Sequence, residues 1–303
     1  MSKRIIVIAG PTASGKSTLA LELAERLGGT VINADSMQIY RDLEILTARP
    51  DPAAVARAPH RLYGVLDGAE LSSVASWIDL ARAEIAMAKL PILCGGTGLY
   101  LRALLQGIAP VPPIPDPVRQ AARALHAELG GEAFRAALGR IDPEAASRLN
   151  AGDSQRLVRA YEVVTATGRP LGDWQREAAA ESDLDPLIFT LLPPREELYA
   201  AIDGRFAAMV RAGALDEVRA LIARNLDPAL PIMKALGVPE LARHLAGAIS
   251  LDAAIAEAQQ ASRRYAKRQY TWFRHQLPAA EIIEAKYYVN LTGLICQIIC
   301  NSA

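Results

Sequence analysis

The stretch Gly10-Pro11-Thr12-Ala13-Ser14-Gly15-Lys16-Ser17 constrains this chain more than any other. It satisfies the spacing G-x-x-x-x-G-K-[ST], follows the apolar run Ile5 to Ala9, and opens a segment with Leu19, Leu21, Leu23, Ala24 and Leu27 at helical spacing. A strand that turns through glycines into a helix makes an anion cradle. Gly10 and Gly15 let the backbone curl until successive N–H groups face one point, the helix N-terminus adds partial positive charge, and Lys16 adds a full one. Ser17, in the first helical turn, is placed to hold Mg²⁺. The motif alone leaves open which phosphate is held and what is done with it.

Two more buried strand-like runs end in polar turns. Thr30 to Asn33 delivers Asp35, Ser36, Met37 and Gln38, and Pro91 to Cys94 runs into Gly95-Gly96-Thr97-Gly98-Leu99-Tyr100. Ligands of open parallel sheets gather at the carboxyl ends of the strands, so Lys16, Asp35 and Thr97 are expected on one rim. The expected fold is therefore α/β: a P-loop, nucleotide-kinase-like parallel sheet flanked by helices. Asp35 has two readings at this point, a rim carboxylate or the cap of a following helix. The Pro- and Ala-rich stretch from Pro50 to Pro59 reads as a loop, and His60, a lone histidine, as structural.

At 303 residues the chain exceeds the usual single domain. Pro110, Pro112, Pro113, Pro115 and Pro117 crowd together, and helical patterns follow without a strand to about Ala180. The reading is a discontinuous core, 1–111 and 185–303, with an all-helical insertion at 112–184. Inside the insertion, Gln155, Arg156, Leu157, Val158 and Arg159 follow Asp153-Ser154 at a helix start, with the arginines on one face. That face is either solvated or a phosphate contact. Strand texture returns at Pro186 to Leu192, and helices then dominate. The long one from Leu251 to Phe273 and the turn after it carry Arg263, Arg264, Lys267, Arg268 and Arg274 beside Tyr265, Tyr270, Trp272 and Phe273, with no acid between Ser262 and His275. Basic and aromatic residues in this pattern suit RNA, and a solvated face with a buried aromatic side has the same pattern.

Lys plus Arg and Asp plus Glu are equal at 33 each, which excludes bulk attraction to nucleic acid and leaves local patches. Cys94, Cys296 and Cys300 have no metal or disulfide spacing, so free thiols in a reducing cytoplasm are expected. No secretory leader and no apolar run of bilayer length is visible. In the tail from Ala285, Leu291, Leu294, Ile295, Ile298 and Ile299 recur at helical spacing and carry no functional signal.

Taken in order, Gly10 to Ser17, Asn33-Ala34-Asp35-Ser36-Met37-Gln38-Ile39-Tyr40, Thr47-Ala48-Arg49-Pro50, Gly95 to Tyr100, Asp153-Ser154-Gln155-Arg156 and Tyr265-Ala266-Lys267-Arg268-Gln269 resemble the tRNA dimethylallyltransferase family. The resemblance implies transfer of the isoprenoid group of dimethylallyl diphosphate to N6 of adenosine 37 of tRNA, with Mg²⁺ and release of diphosphate. It implies Asp35 as the base that orients N6, Thr97 as a donor to the leaving group, and Arg205 on the far side of the diphosphate. It also implies tRNA contacts by Asp35, Ser36, Met37 and Gln38, by Gln155 to Arg159, and by Arg263, Lys267 and Arg268. A monomer without membrane attachment is expected. Leu46, Arg49 and Val238 depart from the family pattern, where Gly, Lys and Tyr are usual. Rival classes are an ATP-using P-loop kinase, a prenyltransferase acting on free AMP or ADP, and an RNA-binding module without catalysis. The basic aromatic helix has no use in the first, and the helical insertion has none in the second.

Overall fold

The computed structural model describes residues 2–177, 183–277, 280–285, 287 and 289–301. The chain forms two compact units, Met1–Leu105 with Ser182–Ala303, and Gln106–Glu181.

The first unit is built on one parallel sheet of β1 (Lys3–Ala9), β2 (Thr30–Asn33), β3 (His60–Arg61), β4 (Pro91–Gly95), β5 (Leu184–Leu191) and β6 (Glu281–Ile283). The strand order is β3-β2-β4-β1-β5-β6. Successive side chains of a strand point to opposite faces. Accordingly Ile5, Val7 and Ala9 enter one apolar core, while Ile6 and Ile8 enter another. That is why β1 reads as an unbroken apolar run rather than an alternating one. The helices of the chain are α1 (Lys16–Leu27), α2 (Pro52–Arg57), α3 (Val74–Met87), α4 (Gly98–Gln106), α5 (Asp116–Gly139), α6 (Pro143–Arg148), α7 (Ser154–Thr167), α8 (Leu171–Arg176), α9 (Arg195–Arg211), α10 (Ala214–Ala223), α11 (Val238–Leu245), α12 (Leu251–Gln276) and α13 (Val289–Asn301). Residues of α3, α4 and α9 to α12 fill the first core, and those of α1 and α13 fill the second.

Several expectations are corrected. The Pro50 to Pro59 stretch is not all loop: Asp51 accepts the Ala54 N–H and Pro52 sits in the first turn, which starts α2. The short strand β6 is absent from the sequence reading, because Glu281–Ile283 is too brief to show alternation. Leu46, in place of a small residue, is accommodated because Gly237 lies against it at φ 91 with no side chain of its own. The loop at Leu46 is pinned by Glu217, whose carboxylate accepts the N–H groups of Ile45 at 2.8 Å and Leu46 at 2.9 Å.

The second unit consists of α5 to α8. Phe134, Leu138, Leu157, Ala160 and Val164 form its core, and α5 breaks at Gly130, whose φ is 71. Its start lies earlier than the expected 112, because α4 stops at Gln106 and Gly107 turns the chain at φ 78 before the prolines are reached.

The apolar tail is part of the core. Leu291, Ile295 and Ile299 of α13 are buried with Leu19, Leu23 and Ala24 of α1. Thr292 Oγ1 donates to Glu22 at 2.7 Å, the Tyr287 hydroxyl donates to the same carboxylate, and the Tyr287 N–H reaches Ser14 O at 3.3 Å. Removing buried methylenes at Ile295 should cost about 3 kcal/mol of unfolding free energy in Ile295→Ala. Urea denaturation reads this, and a loss below about 0.5 kcal/mol, the size of a surface change, would detach α13 from the core.

Candidate diphosphate site

The pairing register fixes where the strands end. Ala9 lies opposite Gly95 and Asn33 opposite Cys94, so β1, β2 and β4 release their loops at one level of the rim. The cradle follows β1. Gly15 takes φ 90 as the N-cap of α1, and Ala13 also stands at positive φ, 64. Positive-φ positions separated by Ser14, which is not itself at positive φ, turn backbone N–H groups inward, as an anion nest requires. Lys16 Nζ donates to Pro11 O at 3.1 Å, closing the cradle on itself. Burial holds the Lys16 ammonium below its usual range, with Cys94 and Asp35 partly opposing that shift. Arg205 projects from α9, donates to Thr12 Oγ1, and is likewise lowered by burial, with Asp35 opposing. Two half-buried cations thus converge, and the Asp35 carboxylate opposes the shift of both.

Asp35 stands at the rim just after β2 and caps a turn rather than a helix, because no helix starts between β2 and α2. Its backbone N–H donates to Asn33 Oδ1 at 2.8 Å, and its Oδ1 accepts the Met37 N–H at 2.9 Å, the short-range bond of an Asx turn. Oδ2 makes no hydrogen bond among the described residues and is left for a ligand. Thr97 Oγ1 accepts the Ser36 N–H at 2.9 Å and lies 3.3 Å from Ser36 Oγ. Thr97 N–H also reaches Ala34 O at 3.2 Å, so the β2 and β4 turns are stitched together. Gly95 permits this, since a Cβ there would run into the Ala34 backbone.

Ser36, Met37 and Gln38 are half-buried beside Asp35. The Gln38 amide donates to Thr47 O at 2.8 Å and Ala48 O at 2.9 Å, tying this turn to the Thr47-Ala48-Arg49-Pro50 segment. Arg49 in turn donates to Arg41 O at 3.1 Å. On α12, Lys267 and Arg268 are exposed, with the Arg268 guanidinium 5.6 Å from the Tyr265 ring. Arg263 differs: its Nη1 is paired with Asp203 at 2.5 Å, so it is not the free cation expected. In the second unit, Gln155 and Arg156 are exposed, and Arg156 and Arg159 pair with Asp153 and Glu162. Leu157 is corrected: it lies wholly in the helical core and its side chain presents no contact surface, while Val158 is half-buried against that core.

Two residues went unassigned in the sequence reading. Gln269 accepts the Thr12 N–H at 2.9 Å and donates to Gly96 O at 2.7 Å. Tyr265 hydrogen-bonds to Thr97 and Gln269, and burial pushes its hydroxyl far above the ordinary tyrosine range, so it keeps its proton. The signal available was a glutamine on the inward stripe of α12.

Half-buried cations around an amide-lined cradle, facing a carboxylate with a free oxygen, define a group-transfer enzyme that handles a polyanionic substrate. Residues 38–276 match the IPP transferase family, to which the chain belongs. The chain is 58% identical over 285 residues to the tRNA dimethylallyltransferase of Rhodospirillum centenum, covering 92% of this chain and 91% of that protein. It is 57% identical over 282 residues to that of Paramagnetospirillum magneticum, covering 91% of this chain and 89% of that protein. Among solved structures, the tRNA isopentenylpyrophosphate transferase of Bacillus halodurans superposes with a TM-score of 0.72 at 32% identity, covering 99% of this chain and 96% of that one. A eukaryotic dimethylallyltransferase acting on tRNA gives 0.84 at 26% identity, covering 99% and 79%.

Because burial lowers the Lys16 pKa, the cation is lost at a lower pH than an ordinary lysine's, and anion binding that depends on it is lost as pH rises through that value. Titration calorimetry with inorganic diphosphate should show affinity falling across the alkaline range. In Lys16→Arg, whose charge persists, that fall should be absent. Parallel profiles in the two proteins would remove Lys16 from the anion contact.

Proposed function

We propose that the protein transfers the dimethylallyl group of dimethylallyl diphosphate to N6 of adenosine 37 in tRNA, beside the anticodon, and releases diphosphate. The observation that carries this reading is Asp35, with Oδ1 spent on its own turn and Oδ2 free, held beside the half-buried cations Lys16 and Arg205.

The cradle residues Gly10 to Ser17 grip the diphosphate as a leaving group. As the allylic C–O bond breaks, negative charge grows on the departing oxygen, and Lys16, Arg205 and the cradle N–H groups meet it in a site with little water. Thr97 exchanges its 3.3 Å contact with Ser36 Oγ for a bond to that diphosphate. N6 of adenine forms the new C–N bond, and Asp35 Oδ2 accepts the N6 proton. The base must leave its stack to reach Asp35, and Ser36, Met37 and Gln38 line the turn where it arrives.

Mg²⁺ suits this donor set. No group of three or more His, Cys, Asp or Glu side chains is placed to hold a metal among the described residues, and Mg²⁺ characteristically relies on one or two protein ligands plus substrate phosphates. Ser17, exposed at the start of α1, is the protein ligand, and the ion would neutralise leaving-group charge. The tRNA grip falls to exposed Lys267 and Arg268 on α12 and to exposed Gln155 and Arg156 on α7; Arg156 pairs with Asp153, as Arg159 does with Glu162 and Arg263 with Asp203, but it is the most exposed of the three arginines. The protein is proposed to work as a monomer in the cytoplasm, a reducing compartment in which Cys94, Cys296 and Cys300 remain free thiols, and no helix among the described residues is long and apolar enough to cross a membrane.

Labelled dimethylallyl diphosphate and unmodified tRNA, with adenosine 37 present or replaced by guanosine, test the reading directly. Asp35→Asn should lower turnover by about 10²- to 10⁴-fold while tRNA still binds; near-normal turnover would remove Asp35 as the base. Lys267→Ala combined with Arg268→Ala should weaken tRNA binding and reduce the slope of log affinity against log salt by roughly 1 to 2. An unchanged slope would make that face of α12 a solvated one.

A further inference from the structure

The inward stripe of α12 runs through Ala258, Ser262, Ala266, Gln269 and Phe273, all buried. A glutamine there is costly unless its amide is paired, since an unpaired buried amide loses several kcal/mol of hydration. Gln269 is paired at both ends. Its Oε1 takes the Thr12 N–H from the cradle after β1, and its Nε2 gives a hydrogen to Gly96 O in the turn after β4. The partners fix the orientation, because a flipped amide would set N–H against N–H and oxygen against oxygen. Gly96 leaves the space, as a Cβ there would strike Nε2. Thr12 is therefore held from α9 through its hydroxyl by Arg205 and from α12 through its backbone by Gln269.

We propose that Gln269 is a positioning residue for the transfer: its amide sets the gap between the diphosphate cradle and the Gly95-to-Gly98 turn, so that Lys16 and Thr97 act on one diphosphate. The inference rests on the function proposed above. Gln269 is buried and acts through Thr12 and Gly96.

The full chain carrying Gln269→Met keeps side-chain length and loses both hydrogen bonds. Its affinity for inorganic diphosphate should fall about tenfold or more, the worth of one to two buried hydrogen bonds. In turnover, kcat/KM for dimethylallyl diphosphate should fall at least as far, with KM for tRNA little changed. Gln269→Glu supplies a second reading should the first variant not fold. A protonated carboxyl offers an oxygen to Thr12 N–H and an O–H to Gly96 O, whereas a carboxylate repels the latter. Its activity should therefore be near normal at low pH and fall as pH rises through the carboxyl pKa, a limb absent from the wild type. Wild-type diphosphate affinity in Gln269→Met, or a Gln269→Glu profile parallel to the wild type, would overturn the inference. The diphosphate measurement needs no turnover, so a wild type that binds diphosphate but prenylates nothing would defeat the proposed function and leave the Gln269 result standing.

Discussion

The level at which β1, β2 and β4 end is the constraint on which the site depends. Parallel strands are held by evenly spaced hydrogen bonds, and each strand here buries both faces, so a slip of one residue would exchange the contents of the two cores. Ala9 opposite Gly95 and Asn33 opposite Cys94 make the cradle, Asp35 and Thr97 emerge together. No loop has to reach far, and Asp35 and Thr97 stand just beyond the ends of β2 and β4. That proximity lets short-range bonds, Asn33 to Asp35, Asp35 to Met37 and Ser36 to Thr97, orient the side chains.

Close approach of backbones is the second condition. The turn after β4 touches Ala34 through Gly95, the Gln269 amide through Gly96 and the Trp272 ring through Gly98. The run of glycines there reflects three different neighbours on three sides. A similar economy operates at Gly237, whose missing side chain admits Leu46 and Phe206. Through that contact the Leu46 substitution changes the packing partner of the loop without changing its anchor, the Glu217 carboxylate.

Much of this was legible in sequence, for physical reasons that can be named. The apolar runs at Ile5, Thr30, Pro91 and Pro186 show as strands because both faces are buried, and α7 begins at Ser154 and ends at Thr167 as its periodicity indicates. The motif residues Lys16, Asp35 and Thr97 arrive on one rim because strand ends do. What was not legible depends on tertiary partners. Leu157 sits inside a motif that also holds exposed Gln155 and Arg156, and only helix packing against Phe134 shows which side it takes. Arg263 carries the same charge as Arg268, but Asp203, sixty positions away in the chain, claims it. The tail helix α13 has the pattern of a buried face without any local cue to its partner, α1.

Desolvated positive charge explains why this fold and this chemistry belong together. Lys16 and Arg205 are both disfavoured as cations by burial, and Asp35 offsets only part of that cost. An anion entering the cradle relieves the penalty for both at once, so the binding energy of diphosphate is drawn from a cost already built into the empty site. A singly charged ligand would relieve less, which favours a polyphosphate over a carboxylate. Under the proposed function, the charge that accumulates on the leaving oxygen during transfer increases the attraction further. On that same proposal, the rim that binds a diphosphate also lowers the barrier to its departure, and the organic end of the donor faces Asp35, where the product bond forms at the base.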